Sequence, residues 1–272
     1  MLSRNKVLHQ LGLDILEGLS DSDLQNLPNT IVIVGCHHSF SHSLIRVLAR
    51  KSNFVVAIQT EQFFDANQRP LWGSPTSKNA TDTLLQNLRF VDTLLDLSEN
   101  NKKWYEDLGL SQSELKKLHF GPFVFPTEKR SISSGSRGKH IFFGNLNERR
   151  RQFLNKLGDG KIAIVQDGTY GDRLADELAK SKGVLNLHYS EGVYTEVPRL
   201  LTAYLSRKPV VSEKLATPFV AGVHYIDVNE KWADIDRHVY DNFSDLVTKQ
   251  FSFAAFLRAA VRENRRRSSF YI

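Results

Sequence analysis

The chain has a single cysteine in 272 residues, Cys36, so it can form no internal disulfide and no zinc site built on several thiolates. No apolar run approaches the roughly 20 residues that cross a bilayer. The opening MLSRNKVLHQLGLDIL also lacks the long apolar stretch of a secretory leader. These absences read as a reducing, cytoplasmic setting. Neither G-x-G-x-x-G nor G-x-x-x-x-G-K-[ST] occurs in the chain, which argues against a nicotinamide dehydrogenase and a P-loop NTPase.

The charge is uneven. The net charge is +6, yet residues 1–130 carry 14 basic and 14 acidic side chains, against 22 and 16 in residues 131–272. The whole excess lies in the second half. It suits a half that holds an anion such as a phosphate, and it suits equally a solvated basic surface ending in Arg265, Arg266 and Arg267.

Short apolar or β-branched runs alternate with polar loops and amphipathic stretches on both sides of PTEKRSISSGSRGK, a polar, Ser- and Gly-rich segment that reads as a linker. In the first half strands are expected at 30–34, 54–58, 93–97 and 119–124, with helices at 43–49, 81–88 and 101–108. In the second half strands are expected at 140–143, 161–165, 184–187, 210–212 and 224–228, with helices at 148–157, 172–179, 196–205 and 253–265. Nearly all-apolar strands alternating with helices mean parallel sheets covered on both faces. The fold class expected is α/β. Two Rossmann-like domains, 1–126 and 140–272 with a basic C-terminal helix, are joined by a linker at 127–139 and face each other across a cleft.

The stretch TIVIVGCHHSFSHSLIRVL places His37, His38 and His42 within six residues of one another, directly after a strand. Zinc prefers several ligands closed at fixed geometry, and the chain offers these histidines no partner cluster, so no metal site is expected. The segment reads as a strand-to-helix loop open to the cleft, with His42 beginning the helix. FFDANQRPLWGSPTSK, 63–78, is long and rich in Pro and Gly, and is expected to be a structureless lid or binding loop in which Trp72 either stacks on a ligand or packs on the domain.

Three stretches of the second half, HIFFGNLNERRRQFLNKL, VQDGTYGDRLADELAKSK and GVLNLHYSEGVYTEVPRLLTAYLSRKPVVSE, occur in this order. In order and spacing they resemble the carboxyl-terminal domain of bacterial GT-B-fold glycosyltransferases of the group 1-like family. IQTEQ and LLDLSENNKKWYEDLGL are similar to amino-terminal segments of that family, so the resemblance covers roughly 30–260. It implies transfer of a sugar from a nucleotide-diphosphate-sugar donor to an acceptor hydroxyl, without a metal or other cofactor. The donor diphosphate would be held by cationic side chains and by N–H groups at a helix start. The residues that match are Gly144, Asn145 and Asn147, with Arg149 and Arg150 in the first helical turn, where unpaired cations oppose the helix dipole. His188, Glu191, Glu196 and Arg199 follow at a later strand-to-helix mouth, and Tyr170 in DGTYGD would meet the base. Thr202, seven residues before Pro209, departs from the E-x7-E pattern of retaining enzymes, so Glu196 and Arg199 match only through E-x-x-R.

The acceptor would fall to the first half, whose candidates for a general base are His37, His38 and His42 in the first loop, Glu61 after the second strand and Glu99 after the third, each following a strand's carboxyl end. Inverting and retaining chemistry both stay open. So does the acceptor: a glycan or another hydroxyl, a lipid-linked acceptor on an anionic membrane, or modified bases of DNA reached through the basic half. A catalytically silent binding subunit of the same fold is the reading from a different class.

Overall fold

In the computed structural model, residues 6–269 are described apart from 28, 50–52, 66, 68, 72–73, 133–137, 159 and 231–236. The elements run α1 (Lys6–Glu17), α2 (Asp21–Asn26), β1 (Thr30–Val34), α3 (Ser39–Ala49), β2 (Phe54–Gln59), α4 (Ser74–Leu88) and β3 (Thr93–Asp96). A 3-10 turn, Glu99–Asn101, leads into α5 (Lys102–Asp107), α6 (Gln112–Leu115) and β4 (Leu118–Phe120). Then come β5 (His140–Phe142), α7 (Glu148–Leu157), β6 (Ile162–Ile164), α8 (Asp172–Lys180), β7 (Val184–Asn186) and α9 (Val197–Leu205). The chain ends with β8 (Val210–Ser212), β9 (Ile226–Asp227), α10 (Arg237–Gln250) and α11 (Phe253–Ser269). No helix among the described residues is long and apolar enough to cross a membrane.

Two parallel α/β sheets result, both compatible with Rossmann-like domains. The first has the order β1-β2-β3-β4. Its connections all step the same way, which with right-handed crossovers sets their helices on one face. Ile45 of α3, Leu84 and Leu88 of α4 and Tyr105 of α5 accordingly share one cluster with Val55, Ala57 and Leu94. The alternate strand residues Val56, Ile58 and Leu95 are buried too, as expected of strands with no solvent face.

The second sheet has the order β6-β5-β7-β8-β9. From β5 the chain first steps to β6 on one side, then crosses back to β7 on the other. This is the 2-1-3-4-5 order of a doubly wound sheet, and its switch point lies between β5 and β7. Phe142, Leu185, Leu187 and Val211 pack with Leu154 of α7 and Val239 of α10.

The chain divides into two compact units, one of 15–127 with 250–272 and one of 1–14 with 128–249. This differs from a division at the linker alone. Helix α11 belongs with the first sheet because its apolar face, Phe253, Phe256, Leu257 and Ala260, is buried there. The Phe256 ring lies 5.3 Å from that of His119 in β4, Phe253 N–H donates to Phe125 O at 2.9 Å, and Arg258 pairs with Asp23 of α2. Two other expectations are corrected. Helix α4 starts at Ser74, and Phe64 bridges to Pro70, so the stretch 63–78 is not one structureless loop; Trp72 lies outside the described residues. The strand expected at 119–124 stops at Phe120, because Gly121 turns the chain at φ +125°.

Candidate functional site

In doubly wound sheets ligands bind outside the carboxyl ends of the strands that flank the switch point. Here that place is built by the loop 143–147 after β5 and the loop 187–196 after β7. Asn147 caps α7, its Oδ1 accepting from Arg150 N at 2.9 Å. The same amide reaches across the switch point, Nδ2 donating to Tyr189 O at 2.6 Å. Pro198 lies in the first turn of α9, and Glu196 stands at its N-cap.

Three guanidinium groups and two carboxylates meet at this end of the sheet. Arg150 is buried; it donates to Leu187 O through Nε (3.0 Å) and Nη2 (2.7 Å), to Asn145 O through Nη1 (2.8 Å), and to Glu196 Oε1 at 2.5 Å. Arg199, also buried, pairs with the other oxygen of Glu196 and donates to Asn186 Oδ1 at 2.6 Å and Phe143 O at 3.2 Å. Arg149 forms a two-pronged pair with Glu213, which follows β8, and donates to His188 O at 2.9 Å. The three cations face two part-buried carboxylates, and the exposed Glu191 on the loop 187–196 acts on the charge of Arg149 as well.

Burial disfavours the charge on Arg199, pulling its pKa below the usual value against the opposing field of Glu196. Burial also works against the Glu213 carboxylate, but hydrogen bonds from Arg149 and from the His188 N–H win and hold its pKa low. The bond to Glu213 in turn raises Arg149. His188 is wholly buried, its pKa lowered by that burial. Its Nδ1 lies 3.0 Å from Gly192 O, an acceptor only, so Nδ1 carries the proton, and the buried Nε2 meets no hydrogen-bond partner among the described residues. A neutral acceptor of this kind suits a hydroxyl rather than a phosphate oxygen.

Gly144, Asn145, Arg149, Arg150, His188, Glu196 and Arg199 therefore come together, but not as a row of open phosphate ligands. Arg150 and Arg199 are committed to carbonyls and to Glu196. Arg149, with 27% of its side chain exposed, is the guanidinium at the surface of the cluster. Gly144 contributes through shape: at φ +108°, a Cβ on it would stand 3.1 Å from Arg199 Nη2. Glu191 is exposed on the loop, close enough to act on the charge of Arg149. Tyr170 is not part of the cluster; it lies half-buried between β6 and α8. Glu213 and Asn186 went unread as functional residues. The signal for both was a polar residue ending an apolar strand at the sheet's carboxyl edge, VVSE and VLN.

The corresponding edge of the first sheet carries a second polar network. His37 is 3% exposed, contrary to the open loop expected, and its Nδ1 meets Gln59 Oε1 at 2.5 Å. Burial, with His38 adding to it, lowers the His37 pKa to about 3. His38 is half-buried, its ring 4.1 Å from that of His37, and burial lowers its pKa as well. His42 does not begin α3 but lies one turn inside it, Nδ1 2.7 Å from Asn87 Oδ1. Glu61 is part-buried, and its carbonyl accepts from Gln59 Nε2 (3.2 Å) and Asn101 Nδ2 (3.0 Å). Beneath lies Asp96, fully buried and bonded by Ser98 N, Asn101 Nδ2 and the Tyr105 hydroxyl, with burial raising its pKa to about 7. Among the described residues no three of His, Cys, Asp and Glu gather in a way that could hold a metal ion.

No family model and no curated protein matches this chain.

Proposed function

We propose that the protein is a glycosyltransferase of the GT-B kind, moving a sugar from a nucleotide-diphosphate-sugar donor to an acceptor hydroxyl, with the donor held by the second sheet. The observation that carries this reading is the switch point between β5 and β7, with a part-exposed Arg149 beside the start of α7. As the bond from sugar to phosphate breaks, negative charge grows on the leaving diphosphate. Arg149 and the first-turn N–H groups of α7 supply fixed positive charge there, with no metal required in this scheme. The acceptor falls to the first sheet, where His38 and Glu61 are candidate bases reachable from solvent, His37 being enclosed.

A thermal-shift panel of nucleoside diphosphates and nucleotide sugars, followed by donor hydrolysis, tests the reading. Stabilisation by one nucleotide family and slow release of its sugar are expected; no shift with any of them would sink it. The burial of His37 favours, as a second reading, a nucleotide-binding subunit without transferase chemistry. That subunit would give the shift without hydrolysis or transfer to any offered acceptor.

A further inference from the structure

The guanidinium of Arg150 lies over two aromatic rings, its Cζ 5.6 Å from the centroid of Phe142 and 5.4 Å from that of Tyr189. Its edge is spent on Leu187 O, Asn145 O and Glu196. That edge is committed within the protein and the residue is buried, so Arg150 acts as a backing plate rather than a phosphate ligand. Tyr189, in front of it, remains 48% exposed. The main chain of this exposed residue is held on both sides: its N–H donates to Glu196 Oε1 at 3.1 Å and its carbonyl accepts from Asn147 Nδ2 at 2.6 Å. An exposed tyrosine on a loop ordinarily samples several rotamers. This one is anchored through its backbone and stacked on a fixed cation, at the mouth of the switch point.

We propose that the outer face of Tyr189 is the stacking platform for the base of a nucleoside diphosphate, with the phosphates directed toward Arg149. The proposal rests on the donor reading above and adds to it which residue takes the base. A cation behind the ring draws its π density inward. The outer face is then a weaker partner for a second cation or for the polarised C–H groups of a sugar, and a better one for a flat π system. Base–aromatic stacking tolerates every base, so the platform supplies affinity and leaves the choice of base to other contacts. Tyr170, the aromatic first expected to meet the base, belongs to a different loop.

The test uses the full chain and isothermal titration with UDP, GDP, ADP and inorganic pyrophosphate, on wild type, Tyr189→Phe and Tyr189→Ala. Tyr189→Ala should weaken the best-bound nucleoside diphosphate by about tenfold or more. It should leave pyrophosphate within twofold, and Tyr189→Phe should bind as wild type does. Equal nucleotide affinity in wild type and Tyr189→Ala overturns the platform alone. Equal losses of nucleotide and pyrophosphate also overturn it, because the ring would then be serving the loop and not the base. A wild-type chain that binds none of the four probes overturns the donor reading together with the platform.

Discussion

Arg150 donates to Glu196 across 2.5 Å, and the second oxygen of the same carboxylate takes Arg199. One carboxylate thus bridges two guanidinium groups whose side chains are only 4% and 8% exposed and offsets one of their two charges. Removing one partner of a buried pair leaves uncompensated charge, at a cost of roughly 3–5 kcal/mol. Glu196→Ala should therefore lower the unfolding free energy by about that much, read from the urea midpoint. Glu196→Gln keeps the shape without the charge and should fall between the two. A loss below about 1 kcal/mol in Glu196→Ala would mean that the cluster is open to water.

Gly144 should not tolerate a side chain. Its φ of +108° is strained for any residue with a Cβ, and the added carbon would press on Arg199 Nη2 at 3.1 Å. Gly144→Ala should cost about 1–3 kcal/mol of stability. Because Arg199 must then give way, the variant should also weaken nucleotide binding. A melting temperature and an affinity both equal to wild type would contradict the close approach.

His37 and His38 should separate by role although they are adjacent. His37→Ala removes a buried ring and its bond to Gln59, and should destabilise by roughly 1–3 kcal/mol. His38→Ala removes a half-buried ring and should cost less than about 1 kcal/mol. If His38 is the base, the same change lowers transfer by about 10²–10⁴-fold with donor affinity kept. Full transfer by His38→Ala moves the role to Glu61 or to a retaining course without a dedicated base.

Asp96 should make stability depend on pH. Its folded pKa is raised to about 7, above that of an unfolded carboxyl, so its contribution is fully present below about pH 4 and is lost as pH rises through 7. Asp96→Asn does not titrate, so wild type should lose on the order of 4 kcal/mol relative to the variant between pH 4 and 8. His37 and His140, whose pKa values burial lowers, act with the opposite sign, but they are common to both chains and cancel in the difference. Denaturation midpoints of the pair across that range are the check. A constant difference would mean that Asp96 stays ionised throughout.

Much of the architecture was legible because strand burial writes itself as apolar runs. Phe54–Gln59 and Val210–Ser212 are recognisable from composition alone. Helix α10 was missed although Val239, Tyr240, Phe243 and Val247 fall at helical spacing and Asp236 precedes its start, because polar residues interleave the apolar ones. The return of α11 to the first sheet depends on contacts between residues over a hundred positions apart, such as Phe125 with Phe253, which no local pattern encodes. At the site, the presence of the arginines was legible and their state was not. Whether Arg150 faces a ligand or Glu196 is decided by the crossing of β5 and β7, and that crossing appears only when the strand order is known.

The most direct measurement is a crystal structure with the nucleoside diphosphate that the thermal-shift panel selects. The account predicts density outside the carboxyl ends of β5 and β7, the phosphates within reach of Arg149 and the start of α7, and the base against Tyr189. A nucleotide bound elsewhere, or a saturated soak with no density at the switch point, would contradict it.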